Sequence, residues 1–246
     1  MAASRSRRRR PSRRLIIEAG TLLLAVLLAL AARTWLIGIY LIPSASMLPR
    51  LVPGDYLAVE KWPFALRRAA PRRGQVVVLR VAGTAYVKRV VGLAGDRIAL
   101  RRGRLIVNGH DVPRWRVADF LFAPSAQTPC RAPEPQPAGP PLCRATRYRE
   151  MPRDQAAYDI LAAEAGEDEP ARGDFPAVTV PAGHVFLLGD NRDRSADSRS
   201  VLGMVPVDAI VGRAGAVLFS IDPAARLADP RHWAASIRWH RIGTRR

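Results

Sequence analysis

The chain has 246 residues, a formal charge of +18 and only two cysteines. This length can bury a substantial core, and we expect one main domain that carries an insertion. The basic N-terminal cluster directly precedes an apolar run and no nucleic-acid-binding motif is visible, so the charge favours a phospholipid bilayer over nucleic acid as partner. No paired Cys/His spacing is present, and we expect neither a metal nor a cofactor.

The first predicted element is the apolar segment Leu15–Ala32, which follows an arginine-rich tail. As a helix it spans about 27 Å, close to the hydrocarbon thickness of a bilayer. We predict a basic cytoplasmic tail over residues 1–14, a transmembrane anchor over 15–33 and an extracytoplasmic catalytic domain over 34–246. A cleavable signal peptide is the alternative, since Ala29-Leu30-Ala31 resembles a small-residue cleavage site.

Beyond this segment, short runs rich in β-branched and aromatic residues predict a mainly β domain. The predicted strands are Tyr56–Glu60, Gln75–Val81, Thr84–Val91, Arg97–Leu100, Arg104–Val107, Val178–Val180, His184–Leu188 and Ile210–Phe219. The pair Asn108-Gly109 predicts a hairpin turn. Residues 111–176 change to Pro, Arg, Ala and acidic residues, which predicts an inserted α/coil subregion with a short helix over Asp154–Ala165.

Two further patterns leave alternatives open. Trp62-Pro63-Phe64, followed by Arg67-Arg68, indicates either a membrane-touching loop or ordinary core packing. Cys130 and Cys143 flank a proline-rich loop. A disulfide between them is expected if this region lies outside the cytoplasm, and two free thiols are the other interpretation.

The candidate nucleophile is Ser46, in the proline-bracketed turn Ile42-Pro43-Ser44-Ala45-Ser46-Met47-Leu48-Pro49. A serine hydroxyl needs a neighbouring base, and the four histidines of the chain sit in no nucleophile motif. Taken alone, the motif favours a turn serine that satisfies the backbone, and only the series of motifs described below favours a nucleophile.

The candidate base is Lys88, in Tyr86-Val87-Lys88-Arg89. A lysine works as a base only where burial keeps its amine neutral, and the neighbouring valines could provide that burial. The alternative is a surface lysine in a salt bridge. Arg89 projects from the opposite face of the strand and is the better candidate for that pairing.

Together with the apolar segment, four sequence boxes resemble bacterial signal peptidase I, the membrane-bound endopeptidase that removes signal peptides from exported proteins. In order, the boxes are Ile42–Pro49, Gly54–Lys61, Tyr86–Asp96 and Gly189–Arg199. The resemblance covers the chain from Leu15 to Phe219. Ala45, Ala94 and Arg194 depart from residues common in the family, and none of them removes a group that the chemistry needs.

The resemblance implies that Ser46 is the nucleophile, Lys88 the general base and Ser195 the group that orients the lysine amine. The Ser44 hydroxyl and the Ser46 backbone N–H would stabilise the oxyanion. Five residues of the fourth box would support the site: Gly189, Asp190, Asn191, Asp197 and Arg199. Ile42 and Val87 are our guesses for the substrate pockets.

The implied function is cleavage of the signal peptides of exported preproteins, with small residues at the first and third positions before the cut. The implied location is the outer face of the bacterial cytoplasmic membrane, near the secretion translocon. One alternative is a same-clan peptidase that matures a single secreted subunit, such as a conjugative pilin. The other is a non-catalytic, basic, membrane-tethered binding module, which would leave the serine, lysine and Gly189–Arg199 boxes unexplained.

Overall fold

The computed structural model describes residues 13–65, 70–130, 132–137, 139–153, 155–163, 174–223, 225 and 233–244. The helices are α1 (Arg13–Trp35), α2 (Trp62–Ala65) and α3 (Trp233–Ser236). The strands are β1 (Ile37–Leu41), β2 (Asp55–Glu60), β3 (Val76–Val81), β4 (Thr84–Gly92), β5 (Arg97–Arg101), β6 (Arg104–Val107), β7 (His110–Asp111), β8 (Arg114–Arg116), β9 (Phe120–Phe122), β10 (Cys143–Ala145), β11 (Arg147–Glu150), β12 (Tyr158–Leu161), β13 (Phe175–Thr179), β14 (His184–Leu188), β15 (Val205–Pro206) and β16 (Ile210–Ser220).

A seven-stranded antiparallel sheet forms the body of the domain, in the order β1-β2-β16-β3-β4-β14-β15. In register, Glu60 of β2 lies opposite Arg213 of β16, Arg213 opposite Val77 of β3, and Val77 opposite Lys88 of β4. Side chains alternate between the two faces of a strand. Lys88 and Arg89 therefore project from opposite faces of this sheet.

The predicted mainly β architecture is confirmed, because each predicted strand overlaps an observed one. The Asn108-Gly109 turn is also confirmed: it joins β6 to β7 with Val107 opposite His110. Asn108 and Gly109 both have positive φ, at 53° and 80°, as a two-residue hairpin of this type requires. The sequence analysis missed β1, the short strands β7–β12 and β15.

The predicted helix over Asp154–Ala165 is wrong where the structure describes it. Tyr158–Leu161 forms β12, which pairs with β11. Tyr158, Ile160 and Leu161 are all buried, and these large apolar side chains fit a covered strand better than a surface helix. Asp154 and residues 164–165 lie outside the described residues. In the described part, the insertion is a three-stranded sheet (β12-β11-β8) beside a two-stranded one (β10-β9).

Helix α1 presents apolar side chains to the exterior. Leu22, Leu24, Leu28 and Leu30 are each more than half exposed. Among the described residues, no helix combines the length and the apolar character that crossing a membrane requires.

The Trp62-Pro63-Phe64 segment lies in α2, where its two aromatic residues have different surroundings. Phe64 packs against a buried cluster of the central sheet, so core packing holds for this residue. Trp62 is 43% exposed, and its contact with a membrane stays a prediction. Arg67 and Arg68 lie outside the described residues.

Candidate active site

Ser46 lies in a one-turn 3-10 helix, Ala45–Met47, whose N-cap residue Ser44 follows the first proline of the motif. Ala45 and Met47 are buried while Ser46 is only half-buried. The apolar neighbours therefore fix the turn in the core and leave the serine hydroxyl facing the cleft. Because this hydroxyl is presented by a packed turn, its position is well defined for attack on a bound group.

The amine of Lys88 reaches this hydroxyl from β4. Lys88 Nζ lies 2.9 Å from Ser46 Oγ and donates a hydrogen bond to it, although the two residues are 42 positions apart in the chain. The lysine is only 3% exposed. Burial lowers the pKa of Lys88 to about 8, although the charges of Asp197 and Asp190 act in the opposite direction. A lysine with this pKa has a substantial neutral fraction near physiological pH.

The Ser44 hydroxyl lies beside the same reaction centre. Its Oγ atom is 3.2 Å from Ser46 Oγ, within hydrogen-bonding distance. A donor at this place can reach an oxygen that develops on a carbonyl attacked by Ser46. The Ser46 N–H belongs to the first turn of its helix, where N–H groups have no intrahelical acceptor.

Ser195 lies beside Gly189 and the serine turn. It forms no hydrogen bond with Lys88 in the described part of the chain. Its Oγ atom is buried and has no hydrogen-bond partner among the described residues. A Cβ atom on Gly189 would overlap this oxygen and approach Ser46 O to 2.6 Å. Gly189 thus allows Ser195 and the serine turn to pack closely, and the lysine-orienting role of Ser195 stays a prediction.

The first residues of the Gly189–Arg199 box form hydrogen bonds with the central sheet and with the turn that contains Ser46. Asp190 accepts two hydrogen bonds from the Arg89 guanidinium, one of them at 2.6 Å from Nε to Oδ1. Both residues are buried. Arg89, and not Lys88, therefore forms the salt bridge, as the sequence analysis expects. Asn191 binds the serine turn twice, through Nδ2 to Ala45 O at 3.1 Å and through its backbone N–H to Ser46 O at 3.0 Å.

Asp197 and Arg199 hold the end of this box. Arg199 Nε and Nη2 each donate to Asp197 at 2.9 Å, and Asp197 also accepts from the Gly189 N–H at 3.1 Å. Burial raises the pKa of Asp197, but the hydrogen bonds and charge of Arg199 outweigh burial and keep this pKa below its ordinary value. The carboxylate therefore stays ionised at neutral pH. It supports the loop and does not serve as a proton donor.

The two guessed pocket residues lie together in one region of the core. Ile42 is 2% exposed, and the half-buried Val87 packs against the cluster that contains it. Ile42 also lines a cavity of about 360 Å³ with Pro43, Tyr56 and Phe219 among its walls. The role of Ile42 and Val87 in substrate pockets stays a prediction.

The insertion contacts the site from one side, and its cysteines are bonded. The structure joins Cys130 and Cys143 by a disulfide with Cα atoms 6.2 Å apart. Close by, Leu161 N donates to Asp190 O at 2.9 Å, and Arg194 donates to Pro129 O at 2.5 Å. These bonds fix the Gly189–Arg199 box to the inserted subregion.

A second buried ion pair also joins the insertion to the Gly189–Arg199 box, and the sequence analysis missed it. Glu150 of β11 is completely buried and accepts two hydrogen bonds from Arg192, one at 2.9 Å from Nη1 to Oε1. Tyr158 of β12 lies under the Arg89 guanidinium, 4.0 Å from ring centroid to Cζ. No sequence signal distinguishes Glu150 from the other charged residues of the insertion, because its role depends on a partner 42 positions away.

Several known proteins are similar to this chain. A family model described as signal peptidase, peptidase S26, matches residues 15–219. The chain is similar to a signal peptidase I of Pseudomonas aeruginosa, with 34% identity over 84% of this chain and 73% of that protein. It is also similar to a signal peptidase I T of Bacillus subtilis, with 30% identity over 82% of this chain and 83% of that one. Among solved structures, a signal peptidase I from Enterococcus faecalis matches 59% of this chain and 97% of its own length, with 20% identity and a TM-score of 0.31.

Proposed function

This chain belongs to the signal peptidase family, peptidase S26, as an enzyme of the signal peptidase I type, and on that premise we propose that a Ser46/Lys88 dyad cleaves signal peptides from exported preproteins. The observation that carries the proposal is the distance of 2.9 Å between Lys88 Nζ and Ser46 Oγ, with the lysine almost fully buried. A hydroxyl and an amine in this arrangement form a nucleophile with its own base.

In the first half of the reaction, the Ser46 hydroxyl donates its proton to the neutral Lys88 amine while Oγ attacks the scissile carbonyl carbon. The oxyanion of the tetrahedral intermediate accepts hydrogen bonds from the Ser44 hydroxyl and the Ser46 N–H. The protonated Lys88 then gives its proton to the leaving amine as the peptide bond breaks. The signal peptide remains attached to Ser46 as an ester.

In the second half, Lys88 is neutral again and takes a proton from a water molecule that attacks the ester. The tetrahedral intermediate collapses, and the proton returns from Lys88 to Ser46 Oγ as the signal peptide leaves. Each proton removed by Lys88 is thus delivered to a leaving group, and the enzyme ends in its starting state.

The substrate lies along β4 as an added strand. Residues 84–87 of β4 pair with β3 on one side, whereas β14 pairs only with Arg89, Val90 and Gly92 on the other. This leaves an unpaired edge next to Lys88 among the described strands, and an extended peptide can bind to such an edge through main-chain hydrogen bonds. Ile42 and Val87 then limit the first and third side chains before the cut to small residues.

The segment Leu15–Ala32 anchors the enzyme, with the arginine-rich tail in the cytoplasm and the catalytic domain outside, close to the translocon. The exposed leucines of α1 support this arrangement, because their apolar surface is stable only in an apolar surrounding. The bonded cysteines also fit an oxidising, extracytoplasmic compartment.

A preprotein assay tests the substrate preference. The intact protein in liposomes is expected to cut a preprotein after an Ala-x-Ala sequence, and replacing the alanine before the cut with leucine is expected to reduce cleavage at least about a hundredfold through steric exclusion. Mass spectrometry of the released product identifies the cut. Cleavage of the leucine variant at the same rate contradicts the small-residue pocket. If several exported preproteins resist cleavage and a single pilin is cut, the dedicated maturation enzyme is the correct alternative.

The pH dependence tests the role of Lys88. With a pKa of about 8, the neutral and active fraction is about one-tenth at pH 7 and about nine-tenths at pH 9. We expect kcat/KM for a peptide substrate without titrating groups to rise about tenfold over this interval and then to level off. A profile that is flat, or that still rises steeply above about pH 10 as for an exposed lysine, argues against the buried amine as base.

A further inference from the structure

The Nε atom of Arg50 is buried without a hydrogen-bond partner among the described residues. The carboxylates around it are paired with other arginines: Asp190 with Arg89, Asp159 with Arg149 and Glu60 with Arg213. A buried polar group without a partner costs about 1–3 kcal/mol, and more when it is charged. A buried group of this kind in a native protein requires an explanation, and one such explanation is a bound ion.

Arg50 lines two cavities that share part of their walls. The larger, of about 530 Å³, is also lined by Gln75, Gln155 and Arg213. The second, of about 450 Å³, is also lined by Arg147 and Arg149. Tyr158 and Ala157 border both cavities, so Arg50 stands between two spaces that are each large enough for a small ligand.

The charge of these walls is positive. Arg89 also lines the larger cavity, but its charge is neutralised by Asp190. The other charged residues of the walls are four arginines and two carboxylates, which leaves an excess of two positive charges. They are Arg50, Arg147, Arg149, Arg213, Glu60 and Asp159. Burial and the charge of Arg89 lower the pKa of Arg50, and they outweigh the charges of Asp190 and Asp159, which act in the opposite direction.

The two cavities are separate from the catalytic cleft. The walls of the two cavities include none of the four residues assigned to the reaction, Ser44, Ser46, Lys88 and Ser195. A ligand bound there would not obstruct the hydroxyl of Ser46. The site is also independent of the proposed reaction, since none of its charged residues takes part in the proton transfers.

We propose that Arg50 forms the centre of a binding site for a phosphate group, at the junction of these two cavities. A guanidinium offers several donors in a planar fork that matches phosphate oxygens, and the excess positive charge of the walls attracts an anionic group of this kind. Arg213 at the rim and the Gln155 amide add further donors. The phosphate comes from a lipid headgroup or from a soluble phosphate compound.

Isothermal titration of the full chain in a non-ionic detergent tests the site. One arm uses inorganic phosphate, and the other uses dihexanoyl-phosphatidylglycerol below its critical micelle concentration, both at an ionic strength matched with chloride. We expect saturable binding that Arg50→Gln weakens about tenfold or more, as the loss of charge-assisted hydrogen bonds implies. Tighter binding of the lipid analogue identifies a headgroup site, and tighter binding of inorganic phosphate identifies a soluble ligand.

Arg101→Gln is the matched control, because Arg101 is an exposed arginine of β5 that lines neither cavity. This variant is expected to bind both ligands as the unchanged protein does. Gln155→Glu, which places a negative charge at the rim, is expected to weaken binding even if Arg50→Gln does not fold. The proposal is overturned by the absence of saturable binding in both arms, by equal binding of Arg50→Gln, or by an equal loss in Arg101→Gln.

Discussion

Replacing Lys88 with methionine is expected to reduce preprotein cleavage by a factor on the order of 10⁴ to 10⁶, the range found when one member of a catalytic unit is removed. Methionine has a similar length but no basic nitrogen, so the Ser46 hydroxyl loses the group that removes its proton. Lys88→Arg is expected to fail equally, because a guanidinium stays protonated in proteins and cannot act as a base. Single-turnover cleavage of a preprotein at pH 9 measures the rate.

The chain provides a matched control for this substitution, since it contains only two lysines, Lys61 and Lys88. Lys61→Met is expected to keep a rate close to that of the unchanged enzyme. Thermal unfolding at pH 7 separates loss of chemistry from loss of fold: Lys88→Met is expected to unfold at a higher temperature, because it removes an amine that is buried at a cost. Near-normal cleavage by Lys88→Met would refute the dyad.

Ser46→Ala is expected to reduce cleavage by a similar factor, because Ser46 is the one described residue whose hydroxyl accepts a hydrogen bond from the Lys88 amine. Ser44 lies 3.2 Å from Ser46 Oγ but is placed to stabilise the oxyanion. The double variant Ser46→Ala/Lys88→Met is expected to be no slower than either single variant, since the two residues act as one unit. Mass spectrometry of the enzyme during turnover tests for an ester on Ser46.

The matched control here is Thr179→Ala, which removes an exposed hydroxyl from β13 and is expected to leave cleavage unchanged. If the losses in the double variant instead multiply, Ser46 and Lys88 act independently, and the mechanism proposed for them is incorrect. Residual cleavage by Ser46→Ala that stays within tenfold of the normal rate would assign the nucleophile to another residue.

The strands were predictable where their burial pattern repeats locally. Tyr56–Glu60 and Thr84–Val91 alternate or concentrate apolar residues, and the corresponding β2 and β4 form within one or two residues of those limits. Tyr158–Leu161 was predicted as part of a helix, because the alanines and acidic residues on both sides of it favour a helix, although Tyr158 and Ile160 suit a strand. Its conformation follows from pairing with β11 and from the bond of Leu161 N to Asp190 O.

The site was partly predictable for the same reason. Ser46, Lys88 and the Gly189–Arg199 box occur in compact motifs, and the structure brings all three together. Glu150 and Arg50 occur in no motif. Their environments arise from Arg192, Arg89 and the walls of cavities that form only when the insertion packs against the central sheet.

The sequence by itself determined the family, the enzyme class, the mainly β architecture and the residue types available for the reaction. These properties are written in local patterns of side chains. Only the tertiary structure decided that Lys88 is buried with its amine 2.9 Å from Ser46 Oγ, that Glu150 holds Arg192, and that the buried Nε atom of Arg50 has no hydrogen-bond partner among the described residues. Burial and ion pairing depend on groups distant in the chain, and their free energies exist only once folding has excluded water from between them.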